Sequence, residues 1–215
     1  KWLFTTLNPY DNLLLNLGMG GDLRYHRNEV TLPKKYQLRL TFHDETELTA
    51  TFSWFGYIHL ASTKELPKHK MTNKLGVSPI DKGFTPESLA SLLSGKRGAI
   101  KSFLLDQKNI AGIGNVYVQD ILFKAKLHPL RMTQTLTASE IEALYRSIRE
   151  VLNQSIRLGG LKYETDLYGR HGKFGPEHFL VGYRTKEPCP VCKTRIVKIK
   201  TGSTASYICP RCQRL

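Results

Sequence analysis

The sequence is poor in acidic residues and has no long apolar run, and each shortage narrows the class of protein. Eighteen Asp and Glu residues face 32 Lys and Arg residues, which gives a formal net charge of +14 over 215 residues. This excess of positive charge indicates a polyanionic partner, and it favours nucleic acid over a membrane surface. No apolar run reaches the length of a membrane-spanning helix, and no Arg-flanked amphipathic anchor helix is evident. The sequence therefore predicts no membrane association.

Cysteine is also scarce, and it is confined to the end of the chain. Cys189 and Cys192 form one Cys-x-x-Cys pair, and Cys209 and Cys212 form a second. Two such pairs can present four thiolates to one tetrahedral Zn²⁺. Two disulfides, or a redox pair, are the alternative, which we disfavour because no other cysteine occurs and no secretory segment precedes. We therefore predict one structural zinc ion and an intracellular, reducing location: the cytoplasm or nucleoid, or the nucleus of a eukaryote.

The segment between the cysteine pairs indicates a basic hairpin. Two short apolar stretches, 196–199 and 205–208, flank Thr201-Gly202-Ser203, which has the composition of a hairpin turn. From residue 184 to residue 215 there are eight Lys or Arg residues and one acid, Glu187. A positively charged zinc hairpin is suited to the phosphate backbone of a nucleic acid.

Hydrophobic periodicity predicts an α+β chain. Candidate strands at 2–7, 12–17, 36–42, 48–52 and 57–60 indicate antiparallel sheets, the remnant of a β-sandwich. The chain opens without Met, in what reads as the middle of a strand, so we expect this β-rich domain to be incomplete. The predicted domains are the β-rich region at 1–62, a linker at 63–80, a helical domain at 81–185 and the zinc finger at 186–215.

Helix start and stop signals define the helical domain. Thr85-Pro86-Glu87 has the composition of a helix N-terminus, and Gly95 ends that helix. Thr137 and Glu140 form a capping box that opens a long amphipathic helix, which ends at Gly159-Gly160. The apolar stripe of this helix is interpreted as core rather than as a cofactor site.

Between these helices, residues 101–123 predict a helix, a glycine-bearing turn and a second helix. Asn115 is the predicted N-cap of the second helix, whose N–H groups and dipole would form an anion site. Lys101 on the first helix could reach the same phosphate. Helix–turn–helix packing without DNA contact is the alternative interpretation.

This segment closely resembles the helix–two-turn–helix of the formamidopyrimidine-DNA glycosylase and endonuclease VIII family. Ala111–Tyr117, His128-Pro129, Gly159-Gly160 and the terminal Cys-Pro-Arg-Cys-Gln match in the family's order, so the resemblance extends over essentially the whole chain. It implies a bifunctional enzyme of base-excision repair, a DNA glycosylase with AP-lyase activity that flips oxidised bases out of double-stranded DNA. We expect it to act as a monomer. The ordered motifs argue against a zinc-ribbon protein that binds RNA or serves translation.

The resemblance also assigns DNA-contacting residues. Lys101 and Asn115 correspond to the family's pair that holds the phosphate at the lesion, and the basic Lys96 and Arg97 would support that contact. The loop at 162–183 resembles the family's lesion-recognition loop, whereas a solvated loop is the alternative.

Three further residues correspond to family residues at the lesion. Lys1 resembles the lysine that donates a proton in β-elimination, and it is the only catalytic residue assigned. Met19 resembles the methionine that wedges into the gap left by the flipped base. Phe55 resembles the phenylalanine that inserts between bases, and Trp54 beside it would either stack on the unpaired base or pack inside the sheet.

The chain also departs from the family pattern. The family nucleophile is an N-terminal proline followed by glutamate, on a helix that would precede Lys1, and residues 1–215 contain no replacement for it. We therefore expect this chain to bind DNA without catalysing by the family route. The alternative function is a non-catalytic damaged-DNA-binding protein of the same fold. Family arginines are also replaced, by Ser53-Trp54 and by Gly202-Ser203-Thr204, which weakens the case for cytosine-opposite recognition and for complete β,δ-elimination.

Overall fold

A computed structural model describes residues 1–27 and 32–215. The chain forms two compact units: residues 1–74 with 158–173, and residues 75–157 with 174–215. This division differs from the predicted domains in two places. The predicted linker at 63–80 is divided after residue 74, and 158–173 belongs with the β-rich unit rather than with the helices. The 158–173 segment belongs with the β-rich unit because it is hydrogen-bonded to a strand there that the sequence did not predict.

The first unit contains two three-stranded antiparallel sheets. The strands are β1 (Leu3–Thr6), β2 (Asp11–Asn16), β3 (Asp22–His26), β4 (Leu38–Thr41), β5 (Glu47–Thr51) and β6 (Tyr57–Ser62). Their orders are β1-β2-β6 and β3-β5-β4. The turn before β2 is closed by Asn8, whose Oδ1 accepts from the backbone N–H groups of Tyr10 and Asp11 at 2.7 and 2.9 Å.

Strand β3 was not predicted, and it explains the position of the 158–173 segment. Tyr25 N in β3 donates to Leu167 O at 2.8 Å, and Thr165 Oγ1 donates to Asp22 Oδ1 at 2.8 Å. Lys173 N closes the base of the segment by donating to Leu158 O at 2.8 Å. The segment is therefore bonded to strand β3, although most of its side chains are exposed, and lesion recognition by the 162–183 loop stays a prediction.

The second unit is built around four helices. They are α1 (Pro86–Leu93), α2 (Ile100–Leu105), α3 (Asn115–Lys124) and α4 (Ala138–Arg157), followed by the hairpin of β7 (Val197–Thr201) and β8 (Thr204–Ile208). The predicted caps are confirmed: Ser88 N donates to Thr85 Oγ1, and Glu140 N to Thr137 Oγ1, each at 3.2 Å. A single apolar core joins the helices through fully buried leucine and isoleucine side chains. None of the described helices combines the length and apolarity that crossing a bilayer requires.

The turn between α2 and α3 corrects one prediction. Gly112 adopts a φ of 115°, which glycine tolerates best, as expected for this turn. However, Gly114 occupies the N-cap position, with φ −116° and ψ 171°, and Asn115 is the first helical residue. The prediction that Asn115 caps the helix is therefore wrong. Its side chain instead faces a residue one turn further along α3.

Candidate nucleic-acid interface and metal centre

The four cysteines come together at the end of the chain. Their Sγ atoms all lie within 4.8 Å of one another, in the arrangement of a single metal site. Cys189 and Cys209 are fully buried, whereas Cys192 and Cys212 are partly accessible. The two Cys-x-x-Cys turns and the β7–β8 hairpin therefore fold as one finger.

The chemistry of these thiols fits a cation. Burial, and then the three neighbouring thiols, raise the pKa of Cys212 to about 12, because a further negative charge is disfavoured there. Hydrogen bonds from Thr194 lower the pKa of Cys192 to about 6. Four thiolates this close can coexist only around a positive ion, and tetrahedral sulfur coordination is the preference of Zn²⁺.

The finger is attached to the helices through buried contacts. Gln213 accepts from Cys209 N at 3.1 Å with its Oε1, and donates to Leu127 O at 2.9 Å with its Nε2. Phe123 and Val181 pack against the buried cysteines in one apolar cluster. The zinc finger is thus continuous with the end of α3 rather than an independent module.

Lys101 lies in this attachment, and it makes contacts within the protein that the sequence did not predict. Its ammonium donates to Ala205 O at 2.6 Å, Thr204 Oγ1 at 3.0 Å and Thr201 Oγ1 at 3.1 Å. The residue is only 2% exposed, and burial lowers its pKa to about 8. An ammonium has three N–H groups, and all three are used within the protein. Direct donation to a phosphate, as the sequence predicted, would require one of these bonds to break.

Asn115 stands in the first turn of α3, partly accessible to solvent. Gln119, one turn further on, is 2% exposed and donates from Nε2 to Asn115 Oδ1 at 3.1 Å. Gln119 Oε1 accepts from Tyr207 N of β8 at 3.1 Å. The predicted phosphate-contacting residue is therefore linked to the zinc hairpin by one buried side chain.

Lys96 and Arg97 occupy the short connection between α1 and α2. Both are exposed, so their charges face solvent. The backbone of this connection is ordered: Thr133 Oγ1 donates to Lys96 O at 2.9 Å, and Thr133 N donates to Gly98 O at 2.9 Å. An ordered, positively charged connection of this kind is suited to a phosphate backbone.

In the first unit, Met19, Trp54 and Phe55 present large apolar side chains to solvent. They are 63%, 68% and 70% exposed. Met19 N donates to Trp54 O at 2.8 Å, and the close approach depends on Gly18, since a Cβ there would lie 2.0 Å from Trp54 O. Phe55 has a φ of 58°, a conformation that costs a non-glycine residue about 1–2 kcal/mol. Trp54 does not pack inside the sheet, and neither Met19 nor Phe55 belongs to the core.

A cavity of about 700 Å³ opens beside Met19 in the same unit. Residues 163–167 and 171 line one side, and residues 17, 18 and 20–24 line the other. Its polar side chains are those of Asp22, Arg24, Tyr163, Glu164, Thr165, Asp166 and His171. These charged and hydrogen-bonding groups can donate to and accept from the polar edge of a flat ligand.

Lys1 is exposed at the start of the first unit, near the carboxyl group of Glu164. Partial burial raises the pKa of Glu164, and the positive charge of Lys1 offsets part of that effect. The sequence analysis did not single out Glu164 or Gln119. Gln119 could have been found from its i+4 spacing to Asn115, whereas nothing in the sequence connects Glu164 with Lys1.

The fold and these sites define a zinc-finger protein of the helix–two-turn–helix class. A family model described as the formamidopyrimidine-DNA glycosylase H2TH domain matches residues 75–166, and one described as the zinc finger found in FPG and IleRS matches residues 186–215. The chain belongs to the formamidopyrimidine-DNA glycosylase family. The predicted α+β fold with one structural zinc ion, held by the four cysteines, is confirmed.

Individual relatives support this assignment. The chain is 35% identical to a formamidopyrimidine-DNA glycosylase of Chloroflexus aurantiacus, over 99% of this chain and 77% of the relative. It is 36% identical to that of Gluconobacter oxydans, over 100% and 79%. A Lactococcus lactis Fpg in complex with an abasic site containing DNA has a TM-score of 0.88 at 31% identity, covering 100% of this chain and 79% of that one. A variant of that protein with a Fapy-dG containing DNA has a TM-score of 0.87 at 31% identity, with the same coverage.

Proposed function

We propose that this chain is the larger part of a DNA glycosylase with AP-lyase activity, which removes oxidised bases from double-stranded DNA. Membership of the family supports a glycosylase of damaged bases. Related solved structures contain DNA with an abasic site or with Fapy-dG. The net charge of +14 is consistent with a polyanionic partner.

The observation that carries this proposal is the exposed apolar group of Met19, Trp54 and Phe55. Each side chain is more than 60% exposed on a backbone held by a short hydrogen bond and a left-handed residue. Exposure of large apolar side chains on a strained, ordered backbone is typical of a functional surface. Inserted between bases, these side chains would replace part of the stacking lost when a nucleotide leaves the duplex.

The cavity beside Met19 would then receive the everted base. Its lining of carboxylate, guanidinium and hydroxyl groups provides donors and acceptors for the polar edge of an oxidised base. Arg24 is oriented there by an ion pair with Asp22. In this proposal the 162–183 loop, whose residues 163–167 and 171 line the cavity, acts as the lesion-recognition loop.

The second unit would hold the DNA backbone. Asn115 in the first turn of α3 would donate to the phosphate at the lesion, favoured by the helix dipole. Lys96 and Arg97 would contact neighbouring phosphates through their exposed charges. Lys101 would contribute a buried positive charge behind this surface, while its N–H groups hold the hairpin.

For the chemical step, we place the nucleophile in residues that precede Lys1 in the native protein. An N-terminal proline nitrogen would bond to the sugar C1′ as the base leaves with the glycosidic electron pair and a proton. Opening of the sugar ring, with Lys1 donating a proton to the ring oxygen, would leave an iminium ion whose nitrogen carries no hydrogen. Loss of a C2′ proton to water would then expel the 3′ phosphate with the electrons of the C3′–O bond.

Borohydride trapping tests this proposal. The native protein, with whatever precedes Lys1, is incubated with a duplex that carries one oxidised base, and sodium borohydride is added. A covalent protein–DNA complex is expected, together with its loss when the N-terminal amine is acetylated. Damage-selective binding without trapping or base release would overturn the enzyme proposal and favour the non-catalytic damaged-DNA-binding protein.

A further inference from the structure

The side chain of Gln119 has an orientation that its neighbours determine completely. Its Oε1 accepts from the backbone N–H of Tyr207 at 3.1 Å. A backbone N–H can only donate, so the oxygen of the amide must face β8. The Nε2 end must therefore point the other way, toward Asn115.

This orientation also fixes the side-chain amide of Asn115. Gln119 Nε2 lies 3.0 Å from Asn115 O, 3.1 Å from Asn115 Oδ1 and 3.3 Å from Ala205 O, and all three are acceptors. Because an NH₂ group can only donate, Asn115 must turn its Oδ1 inward. Its own NH₂ group is then directed away from Gln119.

The consequence is a site made of donors. The outward NH₂ group of Asn115 stands in the first turn of α3, where the first intrahelical hydrogen bond is Val118 N to Gly114 O. Backbone N–H groups at a helix start and a side-chain NH₂ group together select an anion such as a phosphate diester. If the amide of Asn115 were reversed, it would present a carbonyl oxygen that repels the same anion.

We propose that Gln119 is a positioning residue that orients the Asn115 amide as a phosphate donor and makes that orientation depend on docking of the zinc hairpin. The backbone N–H of Tyr207 in β8 fixes the amide of Gln119, and Gln119 in turn fixes the amide of Asn115. This inference rests on the proposed contact between Asn115 and DNA. It adds a residue that touches no DNA itself but determines which group the DNA meets.

A double-mutant cycle on DNA affinity tests the proposal. Asn115→Ala, Gln119→Met and the double variant are compared on a duplex with an abasic-site analogue, with zinc content measured for each protein. Gln119→Met keeps the length of the side chain but removes both hydrogen-bonding ends. Each single variant is expected to weaken binding about tenfold, the size of a hydrogen bond to a charged group, with no further loss in the double variant.

Gln213 provides a matched control. It is 1% exposed and also bridges the finger to the helices with both ends of its amide, but it contacts Leu127 and Cys209 instead of Asn115. Any effect of Gln213→Met on affinity should therefore add to that of Asn115→Ala. Additive losses for Gln119→Met and Asn115→Ala would show that Gln119 acts only through the fold, and would overturn the inference.

Gln119→Glu gives a second, independent test. Glutamate keeps the acceptor for Tyr207 N but replaces the donor that faces Asn115, so Asn115 should turn its NH₂ inward and its oxygen outward. Gln119→Glu is expected to bind DNA more weakly than Gln119→Met. In the Asn115→Ala background, this difference in affinity between the two variants should become smaller. If Asn115→Ala alone leaves affinity unchanged, the proposed phosphate contact fails. If it weakens binding while both Gln119 variants do not, only the positioning role fails.

Discussion

The ammonium nitrogen of Lys101 lies 2.6 Å from the carbonyl oxygen of Ala205, a residue 104 positions later in the chain. This bond, with those to the Thr201 and Thr204 hydroxyls, joins α2 to the zinc hairpin. Thr201 ends β7 and Thr204 begins β8, so the two hydroxyls flank the hairpin turn. In this chain the hairpin turn is therefore held from behind by a buried lysine.

The accessibility of the Lys101 amine should depend on zinc. Reductive methylation by formaldehyde and borohydride modifies accessible lysine amines, whereas Lys101 is only 2% exposed and its ammonium is bonded to the hairpin. We expect mass spectrometry to find Lys101 unmodified in the zinc-bound protein and modified after chelation. The exposed Lys96 serves as a control and should react equally in both states. Equal reaction of Lys101 and Lys96 in the zinc-bound protein would show that Lys101 is not buried against the zinc hairpin.

The same group predicts a pH dependence of stability. The pKa of Lys101 falls from 10.5 in the unfolded chain to about 8 in the fold, so between these values the unfolded chain binds more protons. The free energy of unfolding should therefore rise with pH in this window and be insensitive to Lys101 below it. Denaturant unfolding of the wild type and Lys101→Met should show the wild type gaining relative stability from pH 8 to 10.5. A relative loss would contradict the lowered pKa.

Removal of zinc should unfold the finger selectively. The four Sγ atoms lie within 4.8 Å of one another, and structural zinc contributes about 10–16 kcal/mol of apparent binding free energy in small fingers. Amide hydrogen exchange after chelation should show lost protection over residues 186–215 and retained protection in α4. Because Phe123 and Val181 pack against the buried cysteines, the end of α3 should lose some protection too. Simultaneous loss in α4 would mean that the finger and the helices form one cooperative unit.

Asp120 should be the most sensitive carboxylate in the second unit. It is 3% exposed and accepts from the backbone N–H groups of Leu180, Val181 and Gly182 at 2.9–3.0 Å. Asp120→Ala leaves three buried donors without this acceptor, which should lower the free energy of unfolding by about 3–5 kcal/mol. The exposed Asp81 is the control, and Asp81→Ala should change stability by about 0.5 kcal/mol or less. Similar effects for both would refute the structural role of Asp120.

The sequence predicted best those features that are encoded locally. The cysteine spacing defines the zinc site, and the caps at Thr85 and Thr137 lie within three residues of their partners. Strand β3 was missed because it has only two apolar residues, Leu23 and Tyr25, and its backbone also bonds to Leu167, far along the chain. The buried contacts of Lys101 were not predicted, since its acceptors lie about a hundred residues away, and its contact with a phosphate stays a prediction. The exposure of Met19 and Phe55 was predicted only through the family resemblance, because apolar residues taken singly are most often core.

The most direct test of the account is the preference of the native protein for a damaged duplex. Everting a paired base costs a few kcal/mol, so a duplex with an abasic-site analogue should bind about 10–100-fold more tightly than the intact duplex. Combined Met19→Ala and Phe55→Ala should remove most of that preference. Tyr10→Ala, at a residue that is 75% exposed on the β1–β2 turn, should leave it unchanged. Equal affinity of the wild type for both duplexes, or a preference that survives loss of both side chains, would contradict the account.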